Sequence, residues 1–133
     1  MKHLLIGTAI AALTAGLAHA ETWKMSADAP DGNYLTKNIR AFADDVARLS
    51  DGALEIDVVS NSVLLKRPEL KRGVQRGIVP IGEVLISALG NEDAVYSADA
   101  VPLLATTFDE ARTLWEASRP IYEEKLAEDG LVL

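Results

Sequence analysis

The 133-residue chain has no cysteine and only two histidines, His3 and His19. Without cysteine there can be no disulfide, no thiolate nucleophile and no cysteine-built metal site. Both histidines fall in a segment with the form of a secretory signal peptide. Lys2 and His3 form its basic start, Leu4 to Leu17 its apolar run, and Ala18-His19-Ala20 a small-x-small cleavage site before Glu21. Cleavage there leaves about 113 residues with neither His nor Cys. Such a chain lacks Ser-His-Asp and Cys-His systems and His general bases. The apolar run is shorter than the roughly 20 residues a membrane span needs, and no later stretch is longer. No cysteine stands at the cleavage point to carry a lipid. The expected product is a soluble exported protein, placed most simply in the periplasm, with 1-20 as signal and 21-133 as the working part. Aromatic residues are scarce at 5%, and Trp23 and Trp115 are expected in the core rather than as stacking platforms.

Loss of Lys2 takes the formal charge from -7 to about -8. That balance disfavours nucleic acid and anionic lipid as partners but leaves a small ligand open, since a ligand responds to its pocket's local field. Hydrolysis by paired carboxylates stays possible, although no two of the 20 acids are marked as a pair. With 49% hydrophobic residues the chain can bury a core.

From Thr22 the pattern alternates strand and helix, which predicts an α/β fold: an open, mostly parallel sheet flanked by helices. Thr22 to Ala27 is the first predicted strand and runs into the turn-rich Asp28-Ala29-Pro30-Asp31-Gly32. Leu35, Ile39, Phe42, Val46 and Leu49 recur at helical spacing and predict a helix packing that stripe on the sheet, stopped by Ser50-Asp51-Gly52. Leu54, Ile56 and Val58 alternate with acids in a second strand leaving through Ser60-Asn61-Ser62. A helix is expected from near Pro68 to Gly77. The apolar run Ile78 to Ser87 predicts a central strand covered on both faces, interrupted by Glu83. Thr107-Phe108-Asp109-Glu110 has the form of a capping box and opens a helix that Pro120 is expected to break or restart. Leu131-Val132-Leu133, after the helix-stopping Gly130, reads as the opening of a fourth strand, and the expectation is a truncated domain.

In open parallel sheets, ligands sit beyond the carboxyl ends of the strands. The loops there supply the candidate binding residues Asp28, Asn33, Tyr34, Asn61, Glu83 and Asn91. Turn formation and helix capping compete for Asp28, Asp31 and Asn33. Glu83 stands out because an acid in an apolar strand must be paired, exposed at the strand end, or part of a site. Asn91-Glu92-Asp93 lacks the spaced acids and glycine of a calcium loop, and no metal or cofactor is expected. Lys66, Arg67, Lys71, Arg72 and Arg76 are expected on a solvated face, with a protein-docking surface as the alternative.

Several stretches carry a family resemblance: Leu70-Lys71-Arg72-Gly73-Val74-Gln75-Arg76-Gly77, Gly82-Glu83-Val84-Leu85, Asn91-Glu92-Asp93, Asp99 to Thr106, and Ala111-Arg112-Thr113-Leu114-Trp115. In order and spacing they resemble the DctP family, the solute-binding subunits of TRAP transporters. The resemblance implies the first lobe of a two-lobed periplasmic receptor. Such a receptor captures a small organic acid and hands it to ion-coupled membrane permease subunits without catalysis. It further implies that the arginine clamping the solute carboxylate lies beyond Leu133 and is not replaced by Arg112 or Arg119. Asp28 and Glu83 stand where many members carry neutral residues, which disfavours a dianion and suits hydroxylated or amine-bearing solutes. A secreted carboxylate-dependent hydrolase and an ABC-type binding lobe are the alternatives. A single lobe offers half a pocket and exposes an apolar cleft, so weak or no binding and a tendency to aggregate are expected.

Overall fold

A computed structural model describes residues 20–133; the expected signal segment, apart from Ala20, lies outside the described residues. Three parallel strands form one sheet in the order β2-β1-β3, with β1 at Glu21–Ser26, β2 at Leu54–Val59 and β3 at Ile81–Gly82. Three helices accompany them: α1 (Tyr34–Leu49), α2 (Leu70–Gln75) and α3 (Phe108–Glu128). Short 3₁₀ turns at Arg67–Glu69, Ile86–Leu89 and Ala94–Ala100 fill the connections. The parallel α/β expectation agrees with this architecture. No helix among the described residues is long and apolar enough to cross a membrane.

The elements split the core in two. Met25, Ala27 and Val58 of the β1–β2 region meet Ile39 and Ala43 of α1. The buried face of α1 is Thr36, Ile39 and Ala43, so the expected stripe is only partly right: Leu35, Phe42 and Leu49 are exposed. Small residues at 36 and 43 let the helix approach the pleated strands closely, and the larger side chains flank that contact. The second cluster joins Leu89, Tyr96, Tyr122 and Leu126, tying the 3₁₀ segment to α3.

Three expectations need correction. The strand predicted over Ile78 to Ser87 shrinks to Ile81–Gly82 at the open edge of the sheet, and Ile86–Leu89 coils into a 3₁₀ turn. An apolar run of this length does not distinguish a buried strand from other buried backbone. Pro120 does not break α3, which runs unbroken past it to Glu128. The cost of one lost backbone bond is outweighed by anchoring on both sides of it. Ser118, Tyr122 and Leu126 are buried, and the capping box at Thr107 and Glu110 fixes the start. Nor are the tryptophans core residues: Trp23 is half-buried with its indole N–H on Glu21, and Trp115 is 42% exposed.

The Tyr122 hydroxyl is buried with no hydrogen-bond partner among the described residues. Tyr122→Phe is therefore expected to leave stability unchanged or raise it by up to about 1 kcal/mol, because desolvating that hydroxyl gains nothing in return. Urea denaturation of the two proteins measures this, and a clear loss on substitution would show that the hydroxyl is bonded.

Candidate functional site

All three strands run in the same direction, so their carboxyl ends open onto one edge. Asp28 follows β1, Ser60 to Ser62 follow β2, and Glu83 follows β3. Backbone bonds extend the sheet into these loops: Ala27 N–H donates to the Val59 carbonyl at 3.0 Å, Glu83 N–H to Ser26 at 3.1 Å, and Ser62 N–H to Ala27 at 3.1 Å. The Glu83 side chain is thereby carried on ordered backbone and not on a free loop.

Beyond this edge lies a cleft of about 540 Å³, within the size range of small-molecule sites. Polar groups enter it from five segments: Asp28 after β1, Tyr34 at the start of α1, Arg67 from the turn before α2, Glu83 after β3 and Asp99 from the turn Ala94–Ala100. Met25, Leu35, Val84, Ile86 and Trp115 supply apolar wall. The Trp115 ring is backed by Tyr122, with centroids 6.2 Å apart. A smaller cleft of about 130 Å³ lies between α2 and the end of α3, walled by Leu70, Val74, Ile81 and Leu126. Its one charged side chain, Lys71, is already paired, so no polar set converges there.

Within the larger cleft Asp28 is occupied by its own protein. Its Oδ1 accepts from Ser62 Oγ at 2.6 Å, and its Oδ2 accepts from Arg67 Nε at 2.8 Å and from Arg67 Nη2. The Ser62 hydrogen bond, then the Arg67 guanidinium, hold the Asp28 carboxyl below its ordinary value of 3.8 against a smaller opposing effect of desolvation. A carboxylate lowered in this way adds stability above pH 3.8 and loses it as pH falls through the lower folded value. Ser62 reaches Asp28 because Asn61 and Ser62 both take left-handed backbone conformations, φ 59° and 54°, turning the β2 exit back toward β1. Asp31 is also internal. It accepts from Ser60 Oγ at 2.7 Å and from Arg40 at 2.6 Å, bracing the loop against β2 and α1.

Of the six expected site residues, Asp28, Tyr34 and Glu83 line this cleft and three do not. Asn33 caps α1, its side chain accepting from Leu35 N–H at 2.9 Å, which turns its amide toward the helix backbone. Asn61 is spent on the left-handed turn and is exposed. Asn91 is exposed in the turn after Leu89, away from the strand ends because the chain has already left the sheet. Its neighbours are structural: Glu92 pairs with Lys71, while Asp93 caps the next 3₁₀ turn through Val95 N–H and faces Lys125 at 3.4 Å.

The sequence reading missed Arg67, Asp99 and Trp115. Arg67, expected on a solvated face, enters the cleft and pairs with Asp28. Its place directly after the β2 exit loop was the available signal. Lys71 was assigned to the same solvated face and is instead buried. Arg112 is exposed and Arg119 pairs with Glu123, so neither contributes to the cleft.

A parallel α/β lobe with a polar cleft at its carboxyl edge is the architecture of a solute-binding lobe. No protein-family model and no curated protein sequence matches the chain, whereas solved structures do. DctP7, a Bordetella pertussis extracytoplasmic solute receptor binding pyroglutamic acid, is 58% identical over 86% of this chain, with a TM-score of 0.82. DctP6 of the same organism, also binding pyroglutamic acid, is 40% identical over 84% of this chain at the same TM-score. A marine metagenome TRAP solute-binding protein specific for pyroglutamate is 34% identical over 85% of this chain, again at 0.82. The chain spans 37–38% of the length of these three proteins. In sequence and fold it is the counterpart of the N-terminal portion of DctP-family TRAP extracytoplasmic solute receptors.

Proposed function

We propose that the chain forms the first lobe of a periplasmic solute receptor of a TRAP transporter. It would capture a small organic acid of the pyroglutamate class and present it to ion-coupled permease subunits. The observation that carries this reading is the cleft at the carboxyl edge of the sheet, on a chain 58% identical to a pyroglutamic acid receptor over most of its length. The chemistry of the cleft supports a monoacid carrying a hydrogen-bond donor. Asp28 is neutralised by Arg67, whereas Glu83 and Asp99 have no ion-pair partner among the described residues. A carboxylate such as Glu83 accepts the N–H of a lactam or the O–H of a hydroxy acid, and it repels a second carboxylate on the same solute. Asp28 therefore argues less against a dianion than its charge suggests, and Glu83 carries that discrimination.

The test is a titration of the whole chain followed by NMR, which reads millimolar affinities, with L-pyroglutamate, succinate, galacturonate and an amino alcohol. L-Pyroglutamate is expected to shift amide resonances around Ala29, Glu83 and Trp115 and to be recovered unchanged. Conversion of any solute into product would instead establish a carboxylate-dependent hydrolase, and shifts confined to residues outside the cleft would refute the site.

A further inference from the structure

The guanidinium of Arg67 has five N–H donors in a rigid plane, and Asp28 engages only the edge formed by Nε and Nη2. Among the described residues, Nη1 has no hydrogen-bond partner. The side chain remains 51% exposed and lines a cleft in which every other charged side chain is a carboxylate: Asp28, Glu83 and Asp99. The Asp28 side chain, by contrast, is only 21% exposed and has both oxygens occupied, one by Ser62 and one by Arg67. The Ser62 hydroxyl also donates to the Asp28 carbonyl at 3.3 Å, so it ties down both the backbone and the carboxylate of that residue. The strained pair Asn61 and Ser62 is what puts this hydroxyl in range. A left-handed conformation at two successive non-glycine residues costs on the order of 1–3 kcal/mol each and persists only where surrounding contacts hold it. Here Asn61 N–H donates to the Ala29 carbonyl and Ser62 N–H to the Ala27 carbonyl, each at 3.1 Å, and the Ser62 hydroxyl so held reaches the Asp28 carboxylate, whose remaining partner is Arg67.

We infer that Arg67 is a specificity-determining residue of this lobe, donating from Nη1 to an acceptor oxygen of the bound solute, with Asp28 and Ser62 as the positioning residues that fix its plane. A lone flexible arginine at a cleft mouth would lose much of its hydrogen-bond gain to the entropy of ordering, whereas one already held along one edge does not. Because the held edge is neutralised by Asp28, the free edge offers direction more than net charge. It selects solutes by where an acceptor oxygen sits. This inference rests on the solute-receptor reading and adds to it the residue that reads the acceptor side, opposite the donor side read by Glu83.

The acceptor can be a carboxylate or a ring carbonyl, and three probes separate them: L-pyroglutamate has both, L-proline lacks the ring carbonyl, and 2-pyrrolidinone lacks the carboxylate. Titrated into the whole chain by NMR, Arg67→Gln is expected to weaken L-pyroglutamate binding by about ten- to a hundredfold, the worth of one hydrogen bond to a charged group. It should also flatten one preference. Loss of the preference over proline assigns the ring carbonyl, and loss of the preference over pyrrolidinone assigns the carboxylate. Arg67→Lys, which keeps the charge without the fork, should fall between the two proteins. Asp28→Asn should erode the same preference while leaving Arg67 in place, which a role confined to stability would not do. A direct measurement needs no variant: with arginine side chains labelled, the Nη1 resonance of Arg67 should move on saturation with L-pyroglutamate. If the unaltered chain binds L-pyroglutamate but Nη1 stays still and Arg67→Gln keeps both preferences, this inference falls and the receptor reading stands. If the unaltered chain binds none of the three probes, both fall.

Discussion

Tyr96→Ala is expected to destabilise the protein by about 3–5 kcal/mol, the range for removing a large buried aromatic side chain. Tyr96 is 2% exposed and is the meeting point of three elements. Its ring lies 5.9 Å from that of Tyr122 on α3 and packs in one cluster with Leu89 and Leu126. The Lys71 ammonium of α2 stands 5.8 Å from its centroid, close enough for a cation–π attraction. Truncation would leave a void that the 3₁₀ turns around it cannot fill without giving up their own bonds. The net stability of a small domain is about 5–15 kcal/mol, so a loss of this size is a large fraction of the whole. Chemical denaturation measures it. A loss under about 1 kcal/mol would mean that the second core collapses freely around the missing ring. Because residues 83 to 100 form one wall of the cleft, hydrogen exchange in that segment should accelerate while β1, β2 and α1 keep their protection.

Lys71→Met tests the second large effect. Lys71 is 9% exposed and holds two carboxylates: Asp129 at the end of α3, at 2.6 Å, and Glu92 of the turn after Leu89. It therefore links α2, the cleft-wall segment and α3 through one nitrogen. Burial works against its charge, but the hydrogen bonds it donates to Asp129 and Glu92 outweigh this and raise its pKa above the ordinary 10.5. Methionine preserves most of the side-chain volume and leaves the two acids facing each other without the cation. Breaking a fully buried ion pair costs about 3–5 kcal/mol, but these carboxylates are 47% and 41% exposed, so solvent relieves part of the repulsion. The expected loss is about 1–3 kcal/mol near neutral pH. A group whose pKa is raised by folding contributes fully below its unfolded value, here 10.5, and loses that contribution as pH climbs through the higher folded value. The stability gap between the two proteins should therefore narrow at strongly alkaline pH. Burial also raises the pKa of Tyr96 above 10.0, and the Lys71 charge partly opposes that rise. Without Lys71 the Tyr96 hydroxyl is pushed higher still, so its ionisation weakens the variant more and works against the narrowing. A gap that stays constant from pH 8 to strongly alkaline pH would assign the effect to packing alone.

These residues also mark where sequence reading stops. The Thr107-x-x-Glu110 box, the helix from Tyr34 to Leu49 and the alternation at Leu54, Ile56 and Val58 are local patterns, and each is present in the structure. The strand that was overestimated, Ile78 to Ser87, is a run whose hydrophobicity has no period to read. Its fate is decided by Tyr96 and Leu126, which it meets only in the folded chain. Lys71 and Arg67 look like members of a solvated basic helix because their partners are distant: Asp28 lies 39 residues before Arg67, and Glu92 lies 21 after Lys71. Charge pairing at such separations leaves no periodic trace. The candidate site was legible where it depends on strand ends, at Asp28 and Glu83, and Tyr34 opens the helix that follows the first of these loops. It was illegible where it depends on long loops folding over, at Asp99 and Trp115. Asn33 and Asn61 have the right chemistry for a ligand, but local backbone geometry uses them first.

The position of β1 in the middle of the sheet has a consequence for the order in which the molecule assembles. Glu21 pairs with Leu54 and Met25 with Ile81, so the first strand of the chain cannot complete its hydrogen bonding until both later strands exist. Parallel pairing allows no tight hairpin, and each pairing must close a long loop before any bond rewards it. The α1–β2 unit can gather early on its own apolar contacts, whereas the central strand and the cleft it supports must be a late event. Protection of the Met25–Ser26 end of β1 should accordingly follow the formation of β3, whereas the rest of the strand needs only β2, and a refolding experiment with pulsed labelling would see the binding edge appear last.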